Sequence, residues 1–217
     1  MLLKRILLSL LSKKNILVIF PGFGILPRDY NPVIPNTHKP IYLDLWPDSE
    51  LDYIVKNVRA PGTMEYSNWY TQKINECVYK LNKELINNHK NAKKLVFFGH
   101  SFGGEMAFHV ANRELAFNPE LYVITYGGKY PKNNVTSDHV VLLGTKDNLI
   151  KKYNSKWPGG VIALENGTHF SPVNDEGFER SLRWTNRIRL DHGKQEREET
   201  LINTRQQIQN YITQALA

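Results

Sequence analysis

One serine stands where its chemistry could be put to use. Residues 95–111 read LVFFGHSFGGEMAFHVA, and within them Gly99-His100-Ser101-Phe102-Gly103 matches the pattern G-x-S-x-G. Five letters alone are a weak signal, but here an apolar, β-prone run precedes them and a helix-forming run follows. A nucleophile at so sharp a strand-to-helix turn needs a strained backbone, and side chains two positions to either side would collide. Glycine at 99 and 103 removes both collisions. Ser101 Oγ would then stand clear of the sheet, near the positive end of the following helix. The chemistry to expect of such a serine is attack on an acyl carbonyl.

The elements that must hold this turn can be read from the hydropathy pattern. Short apolar runs at residues 16–20 (ILVIF), 41–45 (IYLDL), 95–98 (LVFF), 121–126 (LYVITY), 140–143 (VVLL) and 161–164 (VIAL) each end near Gly, Pro or Asp. Runs that are apolar at consecutive positions suit strands covered on both faces. Between them lie helical patterns. Residues 68–88 carry Trp69, Ile74, Cys77, Val78, Leu81, Leu85 and Ile86 largely along one face, residues 103–115 follow the Gly-rich turn, and residues 196–216 form an amphipathic C-terminal segment. Residues 171–194 are polar, Arg-rich and weakly periodic. Strands alternating with helices predict an α/β fold, a mostly parallel sheet of about six strands flanked by helices.

With Ser101 at such a turn, the chain resembles the α/β-hydrolase superfamily over roughly residues 16–170. In that family the acid and then the base follow the serine, each on a loop after a later strand. The resemblance makes Asp147, in Gly144-Thr145-Lys146-Asp147-Asn148, the acid. It makes His169, in Glu165-Asn166-Gly167-Thr168-His169-Phe170, the base. The intervals, 46 residues from Ser101 to Asp147 and 22 from Asp147 to His169, leave room for the strands and helices between. Asp138 and Asp175 are rival acids, but open α/β sheets place their sites at the carboxyl ends of strands, which favours Asp147. Two backbone N–H groups would receive the oxyanion, those of Phe102, just after the nucleophile, and Phe23, in the loop Pro21-Gly22-Phe23-Gly24. His100, inside the turn, is not expected to act as the base.

Relatives in that family often carry two antiparallel strands before the first parallel one, and a lid after the strand that precedes the acid-bearing strand. With a first strand near residue 16 and only 13 residues from Gly127 to His139, neither is expected, which implies an open-faced site. Gly22, Trp46 and Phe170 are candidate substrate contacts, and Tyr30, Tyr66, Trp69 and Trp157 could join them along an acyl groove. Packing within the core or loops is the plainer role for such aromatic residues. Arg180, Arg183, Arg187, Arg189, Lys194 and Arg197 form a basic stretch that reads first as a solvated helix face, and otherwise as a receiver for a phosphorylated carrier or an anionic lipid head group. Sequons at Asn134 and Asn166 carry no weight without a sign of secretion.

Composition narrows the remaining choices. The chain of 217 residues, 41% hydrophobic and 23% charged, can bury a sizeable core and is not of disordered or fibrous type. Its single cysteine excludes an internal disulfide and suits a reducing, cytoplasmic setting. The net charge of +7 is concentrated at the start, where the first fourteen residues hold four basic and no acidic side chains. The excess elsewhere is too small to argue for nucleic acid, and no DNA-binding motif spacing occurs. No His or Cys cluster has metal-ligand spacing, so no cofactor is implied. Residues 1–15 read as an amphipathic segment packed on the body, with contact to an anionic membrane surface or a targeting role as alternatives. Residues 16–217 read as one α/β domain. The resemblance then implies a serine hydrolase acting on small acyl esters, a carboxylesterase or lysolipid-type lipase. A thioesterase acting on a carrier-bound acyl chain is the first alternative. A hydrolase-shaped binding protein without turnover is the second, and it would require Asp147 and His169 to lie far from Ser101.

Overall fold

A computed structural model describes residues 14–47, 50–51, 64–128, 137–147, 161–184 and 198–217. The apolar runs form a single six-stranded parallel sheet. Its strands are β1 (Lys14–Phe20), β2 (Ile41–Tyr42), β3 (Ala92–His100), β4 (Glu120–Tyr126), β5 (Asp138–Gly144) and β6 (Val161–Leu164), in the spatial order β2-β1-β3-β4-β5-β6. The helices are α1 (Met64–Asn88), α2 (Phe102–Ala111), α3 (Asp175–Trp184) and α4 (Glu198–Leu216), with a 3-10 helix at Pro27–Val33.

Alternation along each strand explains why the runs are apolar throughout. Ile16, Val18, Phe20, Leu95, Phe97, Val123 and Val141 face one layer, with Ile74, Cys77, Leu81 and Leu85 of α1 and Met106, Ala107 and Val110 of α2. Their neighbours Leu17, Ile19, Val96, Phe98, Ile124, Val140 and Leu142 face the other layer, with Tyr30 and Val33 of the 3-10 helix and Ile208 and Ile212 of α4. Both faces are covered, so the central strands are apolar at most positions, with His100 and Thr125 as buried polar exceptions. Burial pushes the Cys77 thiol up to about 12, so it stays protonated in the core.

The elements depart from the sequence pattern in instructive places. The second strand, expected over 41–45, pairs with β1 only at Ile41 and Tyr42. The Leu43 N–H still donates to Ile19 O at 3.3 Å. Beyond it the chain turns, with the Trp46 N–H on Asp44 Oδ1 and its indole on Pro21 O at 3.0 Å. The aspartate thus competes with the sheet for backbone donors. The helix expected over 103–115 stops at Ala111, with Asn112 as its C-cap, and Phe117 and Asn118 take positive φ angles of 66° and 44° further along in the turn to β4. The first strand begins at Lys14, two residues earlier than expected, where Asn15 donates through Nδ2 to Leu216 O at the end of α4.

Helix α3 lies in the stretch that showed little periodicity. Its start did have a local signal. Asn174 Oδ1 accepts the Gly177 N–H at 2.8 Å, and Asp175 and Glu176 occupy the first turn. An Asn cap followed by acidic residues is a helix-start pattern that apolar spacing alone overlooks. Residues 1–13 and 129–136, most of the expected amphipathic segment and most of the connection discussed for a lid, lie outside the described residues. Among the described residues no helix is long and apolar enough to cross a membrane.

Candidate active site

Ser101 links β3 directly to α2, with φ 53° and ψ −123°. This conformation is costly for a residue with a Cβ, about 1–3 kcal/mol, and such strain gathers at functional positions. Its surroundings hold it there. The Ser101 N–H donates to Tyr126 O at the end of β4, 3.0 Å away, and Ser101 O accepts from the Gly104 N–H at 3.0 Å. The glycines of the motif are required by approach of backbone to backbone. A Cβ on Gly99 would stand 2.6 Å from Gly104 Cα, and one on Gly103 would overlap the Phe20 carbonyl.

The candidate acid and base meet at the carboxyl ends of β5 and β6. His169 Nδ1 and Asp147 Oδ2 are 2.9 Å apart, and both side chains are buried. Since the carboxylate only accepts, the neutral imidazole carries its proton on Nδ1 and has its lone pair on Nε2. The two loops that bring them together are tied along their backbones. Thr145 N–H donates to Leu164 O at 3.0 Å and Lys146 N–H to Gly167 O at 2.9 Å. Thr145 Oγ1 accepts from the Asn166 N–H at 2.8 Å. Asp138, a rival acid, lies exposed at the opposite end of β5, roughly 20 Å along the strand from Gly144. Asp175 lies in the first turn of α3.

The base loop has further supports. Tyr126 donates its hydroxyl to Thr168 O at 2.7 Å, and burial raises the pKa of that phenol well above the ordinary tyrosine range. Arg205 of α4 donates to Ser171 O and Val173 O at 3.0 and 2.6 Å. Phe170 is buried with its ring edge-on to His169 at 5.1 Å and to Phe178 of α3 at 5.2 Å. It therefore braces the imidazole from within the core. Gly127, not singled out by the sequence pattern, sits against the Asp147–His169 pair with φ 57°. The signal that could have drawn notice is the Gly127-Gly128 pair at the carboxyl end of β4, although it says nothing of which loops close over it.

Phe23 and Phe102, the expected oxyanion residues, stand on adjoining turns. Both rings pack edge-on against Trp46, at 5.1 and 5.2 Å. Phe102 is the first residue of α2, where helix geometry supplies no intrahelical acceptor for the amide. Trp46, expected as a substrate contact, is 1% exposed and fills the space between these two rings and Trp69. Gly22, expected likewise, donates its N–H to Tyr30 Oη at 2.8 Å. A Cβ on Gly22 would stand 2.9 Å from His100 Nδ1 and 3.1 Å from Ser101 Cβ, so its smallness lets the first loop lie against the serine turn. Tyr30 is fully buried. Trp157 and the side chain of Tyr66 lie outside the described residues.

Of the basic stretch, Arg180 is engaged internally. Its Nη1 lies 2.7 Å from Asp29 Oδ2, and Asp29 is fully buried on the 3-10 helix. Arg187, Arg189, Lys194, Arg197 and the side chain of Arg183 lie outside the described residues. Among the described residues no group of three or more His, Cys, Asp or Glu side chains is placed to hold a metal ion.

The candidate site thus stands on a six-stranded parallel sheet flanked by helices, with a strained serine on the turn after β3. No family model and no curated protein matches the sequence. Among solved structures the chain is similar to one described as "a putative YdeN-like hydrolase" from Pectobacterium atrosepticum. The two are 13% identical, with a TM-score of 0.43, and the match covers 84% of this chain and 96% of that one.

Proposed function

We propose that this chain is a serine hydrolase of carboxylic esters, with Ser101 as nucleophile, His169 as general base and Asp147 as the group that orients it. The observation that carries the reading is the buried Asp147–His169 pair, held at the same end of the sheet as the strained Ser101. In the first step Ser101 Oγ bonds to the acyl carbon while its proton passes to His169 Nε2. The carbonyl oxygen takes up the negative charge and accepts hydrogen bonds from the Phe102 and Phe23 N–H groups. Collapse breaks the ester bond, and the departing alkoxide takes the proton from Nε2. Water then repeats the sequence on the acyl-serine. It gives its proton to His169 and its oxygen to the acid product, and Ser101 is regenerated.

Hydrolysis of nitrophenyl esters of rising acyl length tests this, with wild type beside Ser101→Ala and His169→Ala. Turnover that vanishes in both folded variants, together with Ser101 labelling by a fluorophosphonate in wild type alone, is the expected result. Equal turnover in either variant overturns the assignment. A wild type inert to every ester but active on acyl thioesters would move the substrate class to thioesters, and one inert to both would leave a binding role.

A further inference from the structure

His100 lies next to Ser101 in the chain and is fully buried, with both ring nitrogens engaged. Its Nε2 is 2.7 Å from His169 O and its Nδ1 is 2.8 Å from Tyr30 Oη, which is itself 2.8 Å from Gly22 N. The proton positions along this chain follow from chemistry. A peptide carbonyl only accepts, so Nε2 carries the hydrogen. The neutral ring then has its lone pair on Nδ1, so the Tyr30 hydroxyl must donate there. The Tyr30 oxygen is thereby free to accept the Gly22 N–H. Every donor in the chain has one acceptor, and no alternative arrangement satisfies all of them with neutral groups.

We infer that Tyr30 and His100 are positioning residues that lock together the oxyanion turn, the nucleophile turn and the base loop through a single directed hydrogen-bond chain. The inference rests on the reading of Ser101, His169 and Phe23 as catalytic. Its three attachment points are Gly22, one residue before Phe23, then His100 itself, one residue before Ser101, and the main chain of His169. Phe23, Ser101 and His169 are therefore each held by a link no more than one residue away. Other contacts restrain the same segments separately, such as Tyr126 on Thr168 and Trp46 on Pro21. The Tyr30–His100 pair bridges them. Burial also favours neutral forms of both partners, lowering the pKa of His100 and raising that of Tyr30.

The test uses Tyr30→Phe, which keeps the ring and removes the hydroxyl, with His100→Gln, His100→Leu and the exposed-phenol control Tyr79→Phe. A misplacement of about 1 Å can lower turnover by about 10²-fold, so Tyr30→Phe and His100→Leu should each lose about 10- to 10²-fold in kcat with KM nearly unchanged. His100→Gln, whose amide can still donate to His169 O, should recover part of the loss. The Tyr30→Phe/His100→Leu pair should be no worse than His100→Leu alone, because both break the same chain. Long-range proton–nitrogen spectra provide a readout independent of turnover. Wild type should show His100 as the Nε2–H tautomer, and the downfield His169 Nδ1–H signal should shift in Tyr30→Phe but not in Tyr79→Phe. A wild type without turnover would remove the proposed function, and the spectra would still decide the hydrogen-bond chain. An Nδ1–H tautomer of His100, or full kcat in Tyr30→Phe, overturns the inference.

Discussion

Gly127 faces the Asp147–His169 pair so closely that a Cβ at that position would stand 2.8 Å from Asp147 Oδ2 and 3.0 Å from His169 Nδ1. Its φ of 57° adds a backbone cost for any L side chain, about 1–2 kcal/mol. Gly127→Ala should therefore both lower stability by about that amount and push the carboxylate away from the imidazole. The expected outcome is a kcat reduced by about 10²-fold with the fold retained, read by ester hydrolysis beside urea unfolding. Unaltered kcat would mean that the pair can shift without loss.

Asp147→Asn keeps the shape of the pair and alters its chemistry. An amide that turns its NH₂ toward Nδ1 would favour the tautomer with the proton on Nε2, which cannot receive the Ser101 proton. Turnover should fall by about 10⁴ with little change in KM or in melting temperature. Partial recovery at high pH, where hydroxide assists, would agree with loss of a base. A variant within tenfold of wild type would disqualify Asp147 as the orienting acid.

The sheet was legible in the sequence because strands covered on both faces cannot hide. Residues 95–98 and 121–126 are apolar at nearly every position and lie in the two central strands of the observed order. The edge strand was overread, since at Asp44 the side chain captures a backbone donor that apolar spacing does not register. At the candidate site, Ser101 could be singled out from its strand-to-helix turn, and Asp147 and His169 through the family resemblance that puts an acid and a base after later strands. Tyr30 and Gly127 could not be placed as well. The hydrogen bond of Tyr30 to His100 spans 70 residues, and the contacts of Gly127 depend on how two loops close over it. Such long-range packing is not written in any local spacing.

Helix α3 is fastened to the 3-10 helix by a charge pair whose carboxylate is fully buried. Asp29 Oδ2 accepts from both Arg180 Nη1 and the Leu26 N–H, at 2.7 and 2.9 Å, and the Asn174 N–H donates to Asp29 O at 2.8 Å. Removing one partner of a buried pair leaves a charge without compensation. Arg180 is partly exposed, so Arg180→Ala should cost about 2–3 kcal/mol, somewhat less than a fully enclosed pair. Asp29→Asn in the same chain should recover part of that loss. Urea titrations of the single and double variants measure both. A loss of under about 0.5 kcal/mol in Arg180→Ala would show that water replaces the guanidinium without penalty.

Acid should weaken the fold through His100 in a direction that its burial fixes. Removal from water is the largest cause that lowers its pKa, the neighbouring His169 acts the same way, and the hydrogen bond to His169 O opposes them. In the unfolded chain the imidazole protonates below about pH 6.5, while in the folded chain it stays neutral to a lower pH. Between those two points the unfolded state binds more protons. Stability is then complete above about pH 6.5 and is lost as the pH falls toward the folded value, by at most about 1.4 kcal/mol per pH unit. His109, half-buried beside Arg113, contributes with the same sign. Urea midpoints at pH 7.5 and pH 5 should therefore differ more in wild type than in His100→Gln, which has nothing to titrate at that position. An equal difference in the two proteins would place the acid sensitivity elsewhere and leave His100 protonating as freely in the folded chain as in the unfolded one.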